Sequence, residues 1–259
     1  MDTHTINHLA ALVDDAAVSG QTLTMLTAEH PELDLDTAYT VQRVSMARRL
    51  ARGETLVGMK MGLTSTAKME QMGVHDPIYG HLTNSMILAP GGTLDLEGLV
   101  HPRVEPEIAF VLASDLSGTV TPDEAMAAVA TVHPAIEVID SRYTDFKFTL
   151  IDVVADNTSA CRYVLGAGSP AAQIDLSDLR IDMNVGDREQ RSGSSQAILD
   201  HPAKSLARLA AMLATRGEGL KAGQTILAGA ATAAVHVAAG DRVDVHVAQL
   251  GSVHFEVAK

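Results

Sequence analysis

The sequence is short of several things, and each shortage excludes something. One cysteine, Cys161, stands in 259 residues, so internal disulfides are excluded and a reducing cytoplasm suits the chain. Positive charge is scarce: 19 Lys and Arg against 32 Asp and Glu give a net charge of -13, which argues against a nucleic-acid partner, whose phosphates would be repelled. No long hydrophobic run is present. The weakly polar stretch from Ile226 to Gly240 is Ala-rich, carries Thr232 and His236, and is too short to span a bilayer. The start, Met1-Asp2-Thr3-His4, lacks the basic residues and apolar core of a signal peptide. A cytoplasmic protein is therefore expected. No G-x-S-x-G elbow, P-loop, H-E-x-x-H or C-x-x-C occurs. Gly166-Ala167-Gly168-Ser169-Pro170-Ala171 matches G-x-G-x-x-A in form, but no helix pattern follows and Asp175 comes too soon to hold a ribose.

What is present is a set of carboxylates in apolar surroundings. In Val104-Glu105-Pro106-Glu107-Ile108, read as a strand, Glu105 and Glu107 leave one face while Pro106 and Ile108 leave the other. In Ala135-Ile136-Glu137-Val138-Ile139-Asp140 the same alternation points Glu137 into an apolar layer. An ionised carboxylate there costs several kcal/mol unless a cation or donors compensate it. A divalent ion on all three would remove both costs, and an all-oxygen site completed by waters and a chelating substrate suits Mg²⁺ or Mn²⁺. An E-x-E pair on a solvated edge strand is the simpler alternative from spacing alone.

Along the chain, Ile6, Leu9, Leu12, Val13 and Ala16 have helical spacing and Gly20 follows as a stop. Asp36 is read as the N-cap of a second helix running towards Gly53, with Arg48, Arg49 and Arg52 at its negative end. Residues 1–56 are thus expected to form a helical N-terminal region and 57–259 a catalytic domain. Val57, Met59 and Met61 then alternate as a strand, which turns Lys60 away from the methionines. On spacing alone a solvated sheet lysine is the simpler reading of Lys60.

A short helix is expected over 64–73, closed by Gly73 and bearing Met69 and Met72 as core filler, before the turn at His75-Asp76-Pro77. Strands are expected at 85–88 and 107–112. Thr121-Pro122-Asp123-Glu124 combines a capping box with proline at the first helical position, so a helix should run through Val129 and end before His133-Pro134. The loop from Asp140 to Phe148 holds three of the eight Phe and Tyr residues, a composition suited to a pocket wall. Asp156-Asn157-Thr158-Ser159 places donors and acceptors after the apolar Val153-Val154-Ala155, at what reads as a strand end. His201-Pro202 opens a helix, and the rest is strand: 224–228, 233–237, 242–247 and 252–257. His236, His246 and His254 fall on these strands at spacings that force no metal. Many short strands with few helices predict an α+β fold with a mixed, mostly antiparallel β-roll or sandwich.

Several motifs, in order, resemble one family. Gly58-Met59-Lys60-Met61-Gly62-Leu63-Thr64-Ser65, Ala67-Lys68-Met69, Gln71-Met72-Gly73-Val74, Pro77-Ile78-Tyr79-Gly80, the pair Glu105 and Glu107, Ile136 to Tyr143, Phe146-Lys147-Phe148 and Val154-Ala155-Asp156-Asn157 resemble the 2-oxo-3-hexenedioate (4-oxalocrotonate) decarboxylases. These belong with the 2-keto-4-pentenoate hydratases in the fumarylacetoacetate hydrolase superfamily. The resemblance implies a Mg²⁺ or Mn²⁺ ion on Glu105, Glu107 and Glu137, with Lys60 in the active site and Asp76 as its partner. For a 2-oxo-3-hexenedioate substrate Ser159 is the candidate donor to the C1 carboxylate and Arg142 or Lys147 the candidate at the distal carboxylate, while Thr232 matches the family's threonine. The resemblance further implies a homo-oligomer, and a complex with the hydratase that takes over an unstable dienol product. The implied reaction is loss of CO₂ from 2-oxo-3-hexenedioate in aromatic meta-cleavage catabolism. Hydration of 2-hydroxypentadienoate at the same metal is the alternative, and a non-catalytic acidic module binding Ca²⁺ or a partner protein is a third reading.

Overall fold

The computed structural model describes residues 1–65, 69 and 76–259. The helix expected over 64–73, with Met72 and Gly73, falls for the most part outside them, as does His75. Among the described residues, thirteen strands form two sheets: β1 Leu56–Gly62, β2 Ile78–Thr83, β3 Thr93–Leu94, β4 Pro102–Leu112, β5 Val129–Asp140, β6 Ala160–Leu165, β7 Ser169–Pro170, β8 Arg180–Val185, β9 Glu189–Ser194, β10 Thr225–Ala230, β11 Val235–His236, β12 Arg242–Val247 and β13 Gly251–Val257. The larger sheet runs β2-β1-β10-β4-β5-β6, with β11 on β4 and β7 on β5; the smaller runs β3-β13-β12-β8-β9. Among the strands of the described residues, only β1 with β10 and β13 with β3 pair in parallel, so the mixed, mostly antiparallel α+β fold is as expected.

In β12 and β13, Val243, Val245, Val247, Val253, Phe255 and Val257 face inward and are buried, while Arg242, Asp244 and His246 face outward. The smaller sheet is therefore half solvated, and its apolar face joins Ile108, Phe110, Ile136 and Val138 of β4 and β5 in the main core. The opposite face of the larger sheet carries a second, smaller apolar cluster made of Leu82, Met86, Ala109, Ala135, Ala160, Tyr163 and Leu227. That face also carries Lys60, Glu105, Glu107 and Glu137, because residues two apart on a strand and residues paired across strands share a side.

The helices Thr3–Ser19 and Leu35–Ala51 pack together at the N-terminus. Buried Asp14 ties them by accepting from Arg48 Nε at 2.8 Å and from Arg52 at 2.6 and 2.7 Å. Gln42 fastens the second helix to the rest of the fold through the carbonyls of Tyr79 (3.0 Å) and Val154 (2.8 Å). Its N-cap is Asp34, whose side chain accepts from Thr37 N, and not Asp36.

Three other expectations differ from the structure. The helix opened by the Thr121 capping box is only Pro122–Ala127, and Val129, His133 and Pro134 join β5, where Pro134 stands opposite Ile108. Residues 84–86 form a 3₁₀ turn after β2 in place of the strand expected at 85–88. Val153-Val154-Ala155 ends the helix Leu150–Ala155, capped by Thr149, rather than a strand.

Candidate metal centre

Backbone pairing alone assembles the carboxylates. Glu105 on β4 stands directly opposite Glu137 on β5, and Glu107, two residues along, pairs with Ala135 and with Ala230 of β10. One oxygen from each of the three lies within 4.8 Å of the others, and all three residues are buried. Glu107 and Glu137 are 0 % exposed.

The local backbone is shaped to this cluster. Between Leu227 and Ala230 the register of β10 slips. Gly229, at φ +121°, turns its N–H onto Glu107 Oε2 at 2.8 Å. A side chain there would displace Thr64, since a Cβ on Gly229 would lie 2.1 Å from Thr64 Oγ1. Ala231 N donates to Pro106 O at 3.0 Å, so the turn that follows β10 is fixed against the residue between the two glutamates.

Lys60 reaches the cluster from β1. It is 2 % exposed, with Nζ 3.0 Å from Glu137 Oε2 and donating to Thr158 O at 3.2 Å. A buried lysine at the carboxylates replaces the solvated sheet lysine that spacing alone favoured. Burial pulls the pKa of Lys60 down, but Glu137, Glu105 and Glu107 outweigh it and the net displacement is upward. Burial pushes Glu107 well above the usual carboxylate range, with Glu137 adding to the rise. Glu137 is also raised by burial, while Lys60 pulls against it.

These groups fit a divalent cation. Glu107 Oε1 is buried without a hydrogen-bond partner, and neither oxygen of Glu137 makes an aligned hydrogen bond, the ammonium of Lys60 approaching Oε2 as an ion pair only. Buried acceptors left this way are expensive. Among the described residues, three carboxylates against one ammonium leave two negative charges, which one Mg²⁺ or Mn²⁺ cancels with oxygen ligands of the type it prefers.

The remaining expected residues are dispersed. Ser159 is buried in the turn after Asn157, and Thr232 lies just past β10, donating to Ala233 O at 3.2 Å. Asp76 is exposed and ion-paired with Arg208. Lys147 is exposed, 3.4 Å from Asp145. Arg142 is buried and committed: Nε donates to Asp156 Oδ1 at 2.8 Å, and its terminal nitrogens to Asp140 O (2.5 Å) and Asp156 O (3.0 Å). An arginine saturated in this way corrects the expectation of Arg142 at a substrate carboxylate. The aromatics of the 140–148 loop likewise serve packing. Tyr143 is fully buried against Phe148, and Arg103 stacks on Phe146 at 4.0 Å.

In the sequence Thr158 stands out only as part of a polar cluster, and Asn157 also as the end of the motif Val154-Ala155-Asp156-Asn157. Their two side chains bind β2, with Asn157 bracketing the His81 backbone (2.8 and 3.0 Å) and Thr158 Oγ1 donating to Tyr79 O at 2.7 Å. For Thr158 the signal is polar residues abruptly following the apolar Val153-Val154-Ala155.

Comparison with known proteins agrees with this geometry. Residues 50–258 match the family described as Fumarylacetoacetate (FAA) hydrolase C-terminal. A 4-oxalocrotonate decarboxylase from a Pseudomonas species is 48% identical over 250 residues, 96% of this chain and 97% of the relative. A 2-hydroxyhexa-2,4-dienoate hydratase from Comamonas testosteroni is 38% identical over 92% of each chain. The structure of 4-oxalocrotonate decarboxylase from Pseudomonas putida G7, complexed with magnesium and adipate, superposes with a TM-score of 0.96 at 40% identity, over 99% of this chain and 98% of that one.

Proposed function

The chain belongs to the fumarylacetoacetate hydrolase C-terminal family, and from that premise we propose that it is a divalent-metal-dependent carboxy-lyase converting 2-oxo-3-hexenedioate into 2-hydroxypenta-2,4-dienoate and CO₂. The observation that carries this reading is the buried triad Glu105, Glu107 and Glu137 with Lys60 against it, in a chain similar over its whole length to 4-oxalocrotonate decarboxylases.

The substrate is a vinylogous β-keto acid. As the C5–C6 bond breaks, its electron pair forms C4=C5, the C3=C4 pair forms C2=C3, and the carbonyl pair moves onto the C2 oxygen, which takes up a proton. Stabilising that oxygen is the main electrostatic task. A Mg²⁺ or Mn²⁺ ion would be held by Glu105, Glu107 and Glu137 and would supply Lewis-acid positive charge where the charge of a 2-oxo acid's enolate develops. Lys60 contributes a second, fixed cation. Held between Glu137 and Thr158, its ammonium offsets the negative charge that begins on the C6 carboxylate and gathers on the dienolate as neutral CO₂ departs. Ser159 remains the candidate donor to the C1 carboxylate, with Thr232 at the turn beside β4.

Chelator-stripped protein offered 2-oxo-3-hexenedioate should release CO₂ only once Mg²⁺ is restored. Release at an undiminished rate in chelator would defeat the reading.

The reading extends to assembly and setting. Residues 1–56 act as a helical cover on the catalytic region 57–259. Exposed Leu12, Val18 and Leu50 on its two helices offer apolar surface to another copy of the chain. A complex with the pathway's hydratase would spare the dienol from solvent, and co-elution of the two proteins tests it. A cytoplasmic setting suits the single buried Cys161, and among the described residues no helix is long and apolar enough to cross a membrane.

A further inference from the structure

Three consecutive residues without the freedom of glycine, Asn157, Thr158 and Ser159, adopt left-handed backbone with φ of 48°, 53° and 57°. Asn visits this region readily, but a β-branched threonine is an outlier there. Such a run persists only where the surroundings impose it, and it gathers at functional sites.

The surroundings here are specific. Asp156 is gripped by Arg142 through side chain and carbonyl (2.8 and 3.0 Å), and Ser159 N closes the turn onto Asp156 O at 2.9 Å. Asn157 and Thr158 bind the backbone of His81 and Tyr79. Those two residues flank Gly80, the partner of Lys60 across β1 and β2. The strands leave room for the turn: a Cβ on Gly80 would lie 2.5 Å from Asn157 O, and one on Gly62 2.9 Å from Thr158 Cγ2. The outcome of all these restraints is one carbonyl, Thr158 O, accepting from Lys60 Nζ at 3.2 Å.

We propose that the Asp156–Ser159 turn is a positioning device for Lys60, in which the side chains of Asn157 and Thr158 fix the Thr158 carbonyl and that carbonyl aims the ammonium. Lysine is a flexible four-carbon stem with a point charge at its end. Facing three carboxylates with no second acceptor, it would settle among them. The carbonyl holds it to one side, where it meets substrate. This inference rests on the reading of Lys60 as a group acting in the reaction, and Asn157 and Thr158 are positioning residues rather than catalytic ones.

The test is a double-mutant cycle on the Mg²⁺-loaded enzyme. Thr158→Val keeps the shape and loses the hydroxyl's bond to Tyr79. Its kcat should fall about 10- to 100-fold, the scale set by misplacing a reacting group by about an ångström, while KM and Mg²⁺ affinity hold. Thr158→Ser should restore most of the rate. In a Lys60→Met background, Thr158→Val should cost nothing further, because its effect passes through Lys60. Normal kcat in Thr158→Val, or a full additional loss in the double variant, would overturn the positioning role while leaving Lys60 in place. An active Lys60→Met would overturn both. If Thr158→Val does not fold, Asn157→Asp, which keeps the acceptor for His81 N–H and loses the donor, runs the same cycle with the same outcomes.

Discussion

Glu107 has one oxygen on the amide of Gly229 and the other without a hydrogen-bond partner, so its charge is the part of the cluster most in need of a cation. Glu107→Gln removes that charge at nearly constant shape. Two effects of opposite sign should follow. Metal-free protein should melt higher, because a buried like-charge repulsion is gone. Divalent affinity should fall about 100-fold or more, since even residues that only support metal ligands typically cost 10- to 100-fold. Calorimetric titration with Mg²⁺ and paired melting curves read both, and unchanged affinity would remove Glu107 from the metal. At Lys60 the expectation is different. Lys60→Met should fold and bind Mg²⁺, but lose about two to four orders of magnitude in kcat, the range for one acid-base or electrostatic group. Near-normal kcat in stopped-flow assays would show that the ammonium takes no part.

At the scale of elements, the site depends on a defect in β10. Gly229→Ala would force a Cβ to 2.1 Å from Thr64 Oγ1 at a φ that alanine resists. We expect a loss of about 2 kcal/mol or more in denaturant melts, with weakened Mg²⁺ binding because the amide leaves Glu107. A stable variant of unchanged affinity would mean that the bulge is incidental.

This bulge was not legible in the sequence, whereas the carboxylates were. Alternation of period two is a property of the strand itself, so the shared face of Glu105 and Glu107, the inward Glu137 and the turning of Lys60 away from Met59 and Met61 all followed from spacing. Where Lys60 pointed to was another matter. Its burial depends on β10 and the 156–159 turn, which reach it from residues roughly 100 to 170 positions away. Long-range pairing also decided the misread elements. Pro134 entered β5 because Ile108 of β4 stands opposite it and Gly166 N donates to its carbonyl. Arg142 was misassigned for the same reason. Its partner Asp156 lies fourteen residues on, and nothing local marks the pair.

For the whole molecule, the first five residues of the weakly polar run from Ile226 to Gly240 lie on the inner strand β10, every residue of which is buried. The proposed association would then use the exposed apolar side chains of the N-terminal helices, against the mutual repulsion of chains carrying -13 each. Light scattering should return a multiple of 27.3 kDa, more completely as salt screens the repulsion. A monomer mass at micromolar concentration across that range would exclude a homo-oligomer. The activity turns on which bond this carboxylate-held charge serves to break. The direct measurement offers the Mg²⁺-loaded protein 2-oxo-3-hexenedioate and 2-hydroxypenta-2,4-dienoate separately, following CO₂ release and loss of the dienoate. Stoichiometric CO₂ from the first with the second left unconsumed is the expected result; consumption of the dienoate without any CO₂ from the hexenedioate would contradict the account.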